Sequence, residues 1–173
     1  ADQFTISAGD SIGGSLNLGG GDDRAIIGES VTIGGALLGR DELAGADAQS
    51  VTIGEGSSIG GDVNFAVGGS RNYGDVLIGS NSGALTTIGG GVQTGGTLQI
   101  ENTSISGSGG IIGTDADKTG ATAPNTMSLS NVTLDTGNLV FNLNSTGQTV
   151  SGVVRDGASN PAPGVVLYLE DEG

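Results

Sequence analysis

Two serine residues stand in the Gly-x-Ser-x-Gly pattern that, in α/β-hydrolases, holds a nucleophilic serine on a sharp turn. They are Ser11, within Gly9-Asp10-Ser11-Ile12-Gly13, and Ser58, within Gly56-Ser57-Ser58-Ile59-Gly60. Such a serine needs a neighbouring base, most often a histidine, to accept its proton. The chain has no histidine, and in a sequence with 36 glycines such matches arise by chance. We therefore predict that neither serine is catalytic.

A second group of residues has the spacing of a calcium-binding loop. Asp115, Asp117 and Thr119 match the first three ligands of the D-x-D-x-[DN]-G pattern. Thr119 replaces a carboxylate or amide ligand, and Lys118 adds a positive charge beside the ligands. Two interpretations remain open, a solvated acidic loop and a Ca²⁺ site, and the substitutions favour the first. We expect no other cofactor.

Carboxylates for glycoside cleavage cannot be assigned, although pectin-cleaving enzymes are built on right-handed β-solenoids. Those sites need several Asp together with Lys or Arg on one face. Here the five basic residues are scattered along the chain: Arg24, Arg40, Arg71, Lys118 and Arg155. The sequence therefore predicts a protein that is not an enzyme.

Three N-glycosylation sequons occur, at Asn102, Asn131 and Asn144. In a chain rich in Asn and Thr about this many arise by chance. If the protein is secreted from an archaeon or a eukaryote, each becomes a candidate acceptor, which we expect on an outward face.

The elements that carry these residues are set by a short repeat. Ser30-Val31-Thr32-Ile33-Gly34 returns unchanged as Ser50-Val51-Thr52-Ile53-Gly54, and looser copies end at Gly13, Gly60 and Gly89. Each copy alternates apolar and polar residues and closes with glycine, which indicates short strands that turn at once. No stretch keeps a helical period. This pattern predicts an all-β fold, a parallel β-solenoid (β-helix) with glycine-closed rungs, and the spacing from Val31 to Val51 predicts about one rung per repeat.

The chain divides into four segments by composition. We predict a solenoid body over residues 1–112, a polar loop over 113–126, longer strands over 127–149 and a β-hairpin over 150–173. The longer strands are interpreted either as the last rungs of the same solenoid or as a second sheet, with the first preferred. Residues 40–49 and 68–74 are predicted to be loops that project from the stack.

The C-terminal segment has its own signature, with two β-branched runs around Asp156-Gly157 and Pro161-Ala162-Pro163-Gly164. It resembles the first hairpin of the carboxypeptidase regulatory-like and SdrD B-like extracellular β-sandwich repeats over about 24 residues. The residues that carry the resemblance are Gly152, Val154, Asp156, Pro161, Pro163, Gly164, Val165, Leu167 and Leu169. Those domains have further strands, and the sequence stops after the first two.

An isolated hairpin is marginally stable in water, so its apolar residues need a surface to bury against. Either the hairpin caps its own solenoid, or it completes a sheet in a neighbouring subunit, or the chain is a fragment of a longer protein. The residues that would make such an assembly contact are Val153, Val154, Val165, Leu167 and Leu169.

Charge limits the partners. Asp and Glu number 19 against 5 Lys and Arg, a formal net charge of −14. A surface of this sign repels phosphate backbones and anionic lipid, so we expect neither nucleic-acid binding nor membrane insertion. The chain begins at Ala1 without Met, as after removal of a signal peptide or as in a trimmed chain.

Together these features predict a secreted structural protein at the cell surface, a homopolymer that builds a filament, sheath or surface layer by stacking and donating strands. Two alternatives come from other classes. One is an adhesin or ligand-binding stalk, which a row of exposed aromatic residues would favour. The other is an intracellular polymer similar to the bactofilins, which also stack short rungs end to end.

Overall fold

The computed structural model describes residues 2–40, 49–67, 75–113, 127–137, 139–143 and 168–171. Throughout these residues the regular structure is β-strand, and every strand pair is parallel. The prediction of an all-β parallel β-solenoid is therefore confirmed. No helix in the described residues is long and apolar enough to cross a membrane.

The strands fall into three faces. Face 1 contains β1 (Gln3–Ile6), β4 (Arg24–Ile27), β7 (Ser50–Ile53), β10 (Val76–Ile78) and the first halves of β13 (Leu98–Ile105) and β15 (Met127–Leu134). Face 2 contains β2 (Ser11–Ile12), β5 (Thr32–Ile33), β8 (Ser58–Ile59), β11 (Thr86–Ile88) and the second halves of β13 and β15. Face 3 contains β3 (Leu16–Asn17), β6 (Leu37–Arg40), β9 (Val63–Val67), β12 (Val92–Thr94), β14 (Ile111–Gly113), β16 (Leu139–Leu143) and β17 (Tyr168–Asp171). From β1 to β16 the chain passes from face 1 to face 2 to face 3 in each rung, with β13 and β15 each spanning faces 1 and 2.

The core is a set of columns in which equivalent residues of successive rungs lie on top of one another. On face 1 the register aligns Ile6, Ile27, Ile53, Ile78, Ile100 and Leu129. Ile27, Ile53 and Ile78 are each 1% exposed. Because side chains alternate along a strand, the polar residues between them point outward. The apolar/polar triplets of the sequence are thus the two sides of very short strands.

Glycine closes the face 2 strands for a steric reason. A methyl group at Gly34 would lie 2.6 Å from the carbonyl oxygen of Gly13 in the rung below, and one at Gly60 would collide with the carbonyl oxygen of Gly34. Successive backbones approach here too closely for any Cβ. The glycine that ends each repeat therefore allows the rungs to stack at this position.

The two identical repeats do not occupy equivalent positions. Thr32–Ile33 lies on face 2 and pairs with Ser58–Ile59, whereas Val51 lies on face 1 and pairs with Ala25 and Val76. The prediction that Val31 and Val51 are one rung apart is therefore wrong. All faces need the same inward-outward-inward triplet, so an identical sequence can serve on more than one face.

Past the undescribed residues 114–126, β15 pairs in parallel with β13 along both halves of its length, and β16 pairs with β14. The long strands of this segment thus continue the same solenoid. Near the C-terminus, β17 lies parallel to β16, with Leu169 opposite Phe141. This strand of the predicted hairpin pairs with β16 of the same chain, and the preceding residues 144–167 lie outside the described part. Residues 68–74 and 41–48 of the predicted loops lie outside it as well. The loop predicted over 40–49 is too long at both ends, because Arg40 belongs to β6 and Gln49 is buried.

Candidate assembly surface

The first rung, formed by β1, β2 and β3, is the open edge of the solenoid. Each of these strands ends its sheet and pairs with only one neighbour among the described residues, on the side of the second rung. A strand edge of this kind is a template for another strand. We refer to the outer side of these three strands as the open edge.

The hydrogen-bond pattern shows which backbone groups face the open edge. In a parallel ladder, alternate residues bond to the strands on opposite sides. The amide of Arg24 donates to the carbonyl of Asp2 (2.9 Å), and the amide of Gly28 donates to the carbonyl of Ile6 (2.9 Å). These carbonyls therefore point along the stack toward the second rung. By the same alternation, the amide and carbonyl groups of four residues in these strands point away from the second rung, toward the open edge. They are Gln3, Thr5, Ser11 and Asn17.

Phe4 shows that the core is incomplete at this edge. It stands in the inward column of face 1, opposite Ala25. The other members of that column are nearly inaccessible: Ala25 0%, Val51 1%, Val76 0%, Leu98 1% and Met127 3% exposed. Phe4 is 41% exposed. An inward aromatic side chain is therefore partly exposed to solvent, because no described residue covers the side of it that faces away from the second rung.

The apolar surface continues around the edge. Ile12, Leu16 and Leu18 are partly buried and pack against the core, whereas Ile33 and Leu37, directly above Ile12 and Leu16, are both 0% exposed. The edge thus combines unpaired backbone groups with an apolar centre drawn from all three faces. This combination is what a further rung of the same solenoid requires.

One charged residue interrupts that apolar centre. Asp10 precedes Ser11, and the register places it at the position of Val31 in the rung above, a fully buried site. Its carbonyl accepts a hydrogen bond from the amide of Thr32 (3.0 Å), so the parallel hydrogen-bond pattern between the first two rungs includes Asp10. A rung stacked on the edge would bring this exposed carboxylate toward the interior, where an unpaired charge is costly.

A buried carboxylate ties down the start of the first strand. Asp23 is 8% exposed, and its Oδ1 accepts a hydrogen bond from the amide of Asp2 (2.8 Å). Nearby, the buried Gln49 side chain donates through Nε2 to the carbonyl of Gly19. Both ends of the first rung are therefore fastened to later rungs, which holds the open edge in place.

The far end of the solenoid differs from the open edge. Its inward residues Met127, Val132 and Leu139 are 3%, 7% and 5% exposed. On face 3, β17 adds a strand beyond β16. Two further inward residues of this end, Leu129 and Leu134, are only partly buried. Both ends therefore offer apolar surface, and among the described residues Phe4 is the most exposed inward apolar side chain.

The two serines of the hydrolase-like pattern lie in the same column of face 2. Ser11 and Ser58 both pair with Thr32 within parallel strands. A nucleophilic serine of that pattern needs a sharp strand-to-helix turn. The extended strands hold both hydroxyls on a flat outward surface instead.

Two of the three sequon asparagines stack at the bend between faces 1 and 2. Asn102 and Asn131 have φ values of 43° and 53°, the left-handed region in which Asn is favoured among residues with a side chain. Asn131 Nδ2 donates to Asn102 Oδ1 (2.6 Å), and Asn102 Nδ2 donates to the carbonyl of Gly83 (2.9 Å). This ladder gives both side chains a structural role, and their glycosylation stays a prediction.

The other predicted site residues lie outside the described part of the chain: Asp115, Asp117, Thr119, Asn144, Val153, Val154, Val165 and Leu167. Leu169 is within β17. Among the described residues, no three acidic side chains come together as metal ligands. The sequence did not single out Phe4, Asp10, Ile12 and Leu16 as a group, because only the register reveals that they share one edge.

Comparison with known proteins identified no relative of this chain. No protein-family model matches the chain, and searches of curated proteins and of solved structures gave no match.

Proposed function

We propose that this chain is a structural subunit that polymerises end to end, with the open edge of one copy seated on the far end of the next. The observation that carries the proposal is the exposure of Phe4 in an otherwise buried column. Every strand pair is parallel, so a second copy in the same orientation continues the ladder without a change of hydrogen-bonding pattern. A head-to-tail contact that continues the axis of the solenoid relates the copies by a translation along that axis, so it builds an open filament and not a closed ring.

The driving force is burial of the edge together with pairing of its backbone groups. An aromatic side chain buries about 150–250 Å² when fully covered. Covering the exposed part of Phe4 is therefore worth about 2 kcal/mol at roughly 25 cal/mol per Å², and Ile12, Leu16 and Leu18 add to this. The tail strand β17 pairs with β16 of the same chain, and the proposed rung stacking does not require β17. Strand donation by residues 150–167 remains a further prediction.

The acidic composition and the resemblance of the tail to extracellular repeats support a location outside the cell, in a filament, sheath or surface layer. With a net charge of −14, subunits repel one another at low ionic strength. Salt or divalent cations should therefore favour assembly. Assembly that increases with salt concentration would distinguish a charged polymer from a binding stalk, which stays monomeric.

Negative-stain microscopy and sedimentation of the whole chain, wild type and two variants, test the proposal. Phe4→Asp places a charge at the open edge. Leu85→Asp changes the other large hydrophobic residue that is exposed in the described part of the chain, 53% exposed and away from that edge. We expect filaments from the wild type and Leu85→Asp, and monomers from Phe4→Asp with an unchanged circular dichroism spectrum.

A wild type that stays monomeric at every concentration and salt level contradicts the proposal. So does a wild type that stops at dimers, because pairing of two identical edges closes on itself. Filaments of Phe4→Asp as abundant as those of the wild type would show that the contact lies elsewhere.

A further inference from the structure

The outward side of face 2 is a regular column of hydroxyl groups. The register aligns six residues, one from each rung, and Ser and Thr alternate along the column: Ser11, Thr32, Ser58, Thr87, Ser104 and Thr133. Neighbouring members are close enough to bond, since Thr87 Oγ1 donates to Ser58 Oγ (3.1 Å). The backbones that carry successive hydroxyls are separated by one strand spacing, about 4.8 Å.

Face 2 is also the uncharged face. Its described strand residues include no Asp, Glu, Lys or Arg, whereas face 1 contains Arg24 and Glu101 and face 3 contains Arg40. In a chain of net charge −14 this is the side on which another copy meets the least repulsion. Glu29 and Glu55 lie in the preceding corner, so the neutral area is a strip bordered by acidic residues.

The strip is flat and carries one exposed apolar side chain. Gly34, Gly60 and Gly89 follow the hydroxyl residues and leave bare backbone along one side of the column. On the other side Leu85 precedes β11 and is 53% exposed. Apart from Leu85, the outward side chains of the hydroxyl column are short and uncharged, so two such strips can approach closely.

We infer that face 2 is the lateral contact between neighbouring filaments, with face 2 of one copy against face 2 of a second. Six strands span about 24 Å, and three residues of strand span about 10 Å. Such a strip buries about 500 Å² in a face-to-face pair, well below the roughly 1,200–2,000 Å² of a stable complex. Single copies should therefore pair only weakly. Stacking makes the strip continuous, and the contact gains strength from repetition.

This inference rests on the proposed stacking, and microscopy tests both. Thr87→Glu puts a charge in the centre of the strip, and Thr52→Glu makes the same change on the outward side of face 1. We expect wild-type and Thr52→Glu filaments to lie side by side in pairs or bundles, and Thr87→Glu filaments to be single. Bundles of Thr87→Glu, or equal loss of bundles in both variants, would overturn the inference and leave the stacking intact.

A second measurement reports on face 2 without filaments. The chain has no Cys, so Thr87→Cys and Thr52→Cys each give one reactive thiol. In the Phe4→Asp background, where stacking is blocked, a short bis-maleimide should link Thr87→Cys copies several-fold faster than Thr52→Cys copies at high concentration. Equal rates would overturn the lateral contact whether or not the wild type forms filaments.

Discussion

Phe4 and Ala25 lie opposite each other in one inward column, and Phe4 is 41% exposed while Ala25 is 0% exposed. The two residues differ in the number of rungs that cover them. Ala25 lies between two strands, β1 and β7, whereas Phe4 has a strand on one side only. The inward column of the core therefore extends to the first rung, where its outer end at Phe4 is not covered by another strand of the described residues.

Asp10 should restrain assembly. It holds the register position of Val31, so a rung stacked on the edge would take its carboxylate out of water. We predict that Asp10→Asn lowers the concentration at which filaments form, by roughly tenfold if about 1.4 kcal/mol of desolvation is relieved. Sedimentation at fixed salt measures this concentration.

Glu29→Gln is the matched control for Asp10→Asn. It removes the same charge from an exposed position in the second rung. If the two variants shift assembly equally, net charge explains the effect and Asp10 has no special position in the contact.

Ser30 is a point of backbone strain. Its φ is 55°, while Gly9 and Gly56, at 78° and 69°, take up comparable conformations in the corresponding corners of the adjacent rungs. We predict that Ser30→Gly raises the free energy of unfolding by up to about 1 kcal/mol, because glycine adopts this conformation without a Cβ penalty. Urea denaturation measures the change. Ser58→Gly, in the extended strand β8, should lower stability by about as much, and a loss of stability in both variants would refute the strain.

Thr86 buries a hydroxyl group with no partner. It is 0% exposed, and its Oγ1 has no hydrogen bond. Val31 and Val132 occupy the same inward column, so valine fits there. We predict that Thr86→Val raises the free energy of unfolding by about 1 kcal/mol, since it removes an unsatisfied polar group at constant shape.

Thr103 provides the control for Thr86 in the next rung. It is equally buried, but its Oγ1 donates to the carbonyl of Glu101 (2.7 Å). Thr103→Val should therefore lower stability by about 1 kcal/mol. Thermal and urea unfolding of the two variants should move in opposite directions, and a shift of the same sign in both would contradict this assignment.

The Asn102 side chain should contribute to stability separately from its backbone. Asn102→Ala removes the bonds to Gly83 and Asn131 and leaves a Cβ at a φ of 43°, which we predict to cost about 2–3 kcal/mol. Asn102→Gly loses the same bonds without the backbone strain and should cost about 1 kcal/mol less. Equal losses in the two variants would show that the left-handed backbone is not strained.

Much of this fold follows from sequence alone, because apolar/polar triplets closed by glycine specify short stacked strands wherever they occur. The same property limits the prediction. Ser30–Gly34 and Ser50–Gly54 are identical, yet one lies on face 2 and the other on face 1, since each face requires the same alternation. Only the register can show which residues form a column.

The candidate assembly surface was hidden for the same reason. Phe4 reads as an ordinary inward strand residue, and its exposure follows from the position of its rung at the end of the stack. The apolar tail is more conspicuous in the sequence, but its strand β17 pairs with β16 of the same chain. The hydroxyl column of face 2 is likewise dispersed in sequence at intervals set by loops of unequal length.

Hydrogen exchange at the first rung is the most direct test of the assembly surface. In the monomer, the amides of Thr5, Ser11 and Asn17 face the open edge and should exchange rapidly, while the amides of Leu16 and Leu18 are bonded to the second rung and should exchange slowly. In assembled material, the proposed stacking predicts strong protection of the first three amides with little change in the other two. Rapid exchange of Thr5, Ser11 and Asn17 in filaments would contradict it.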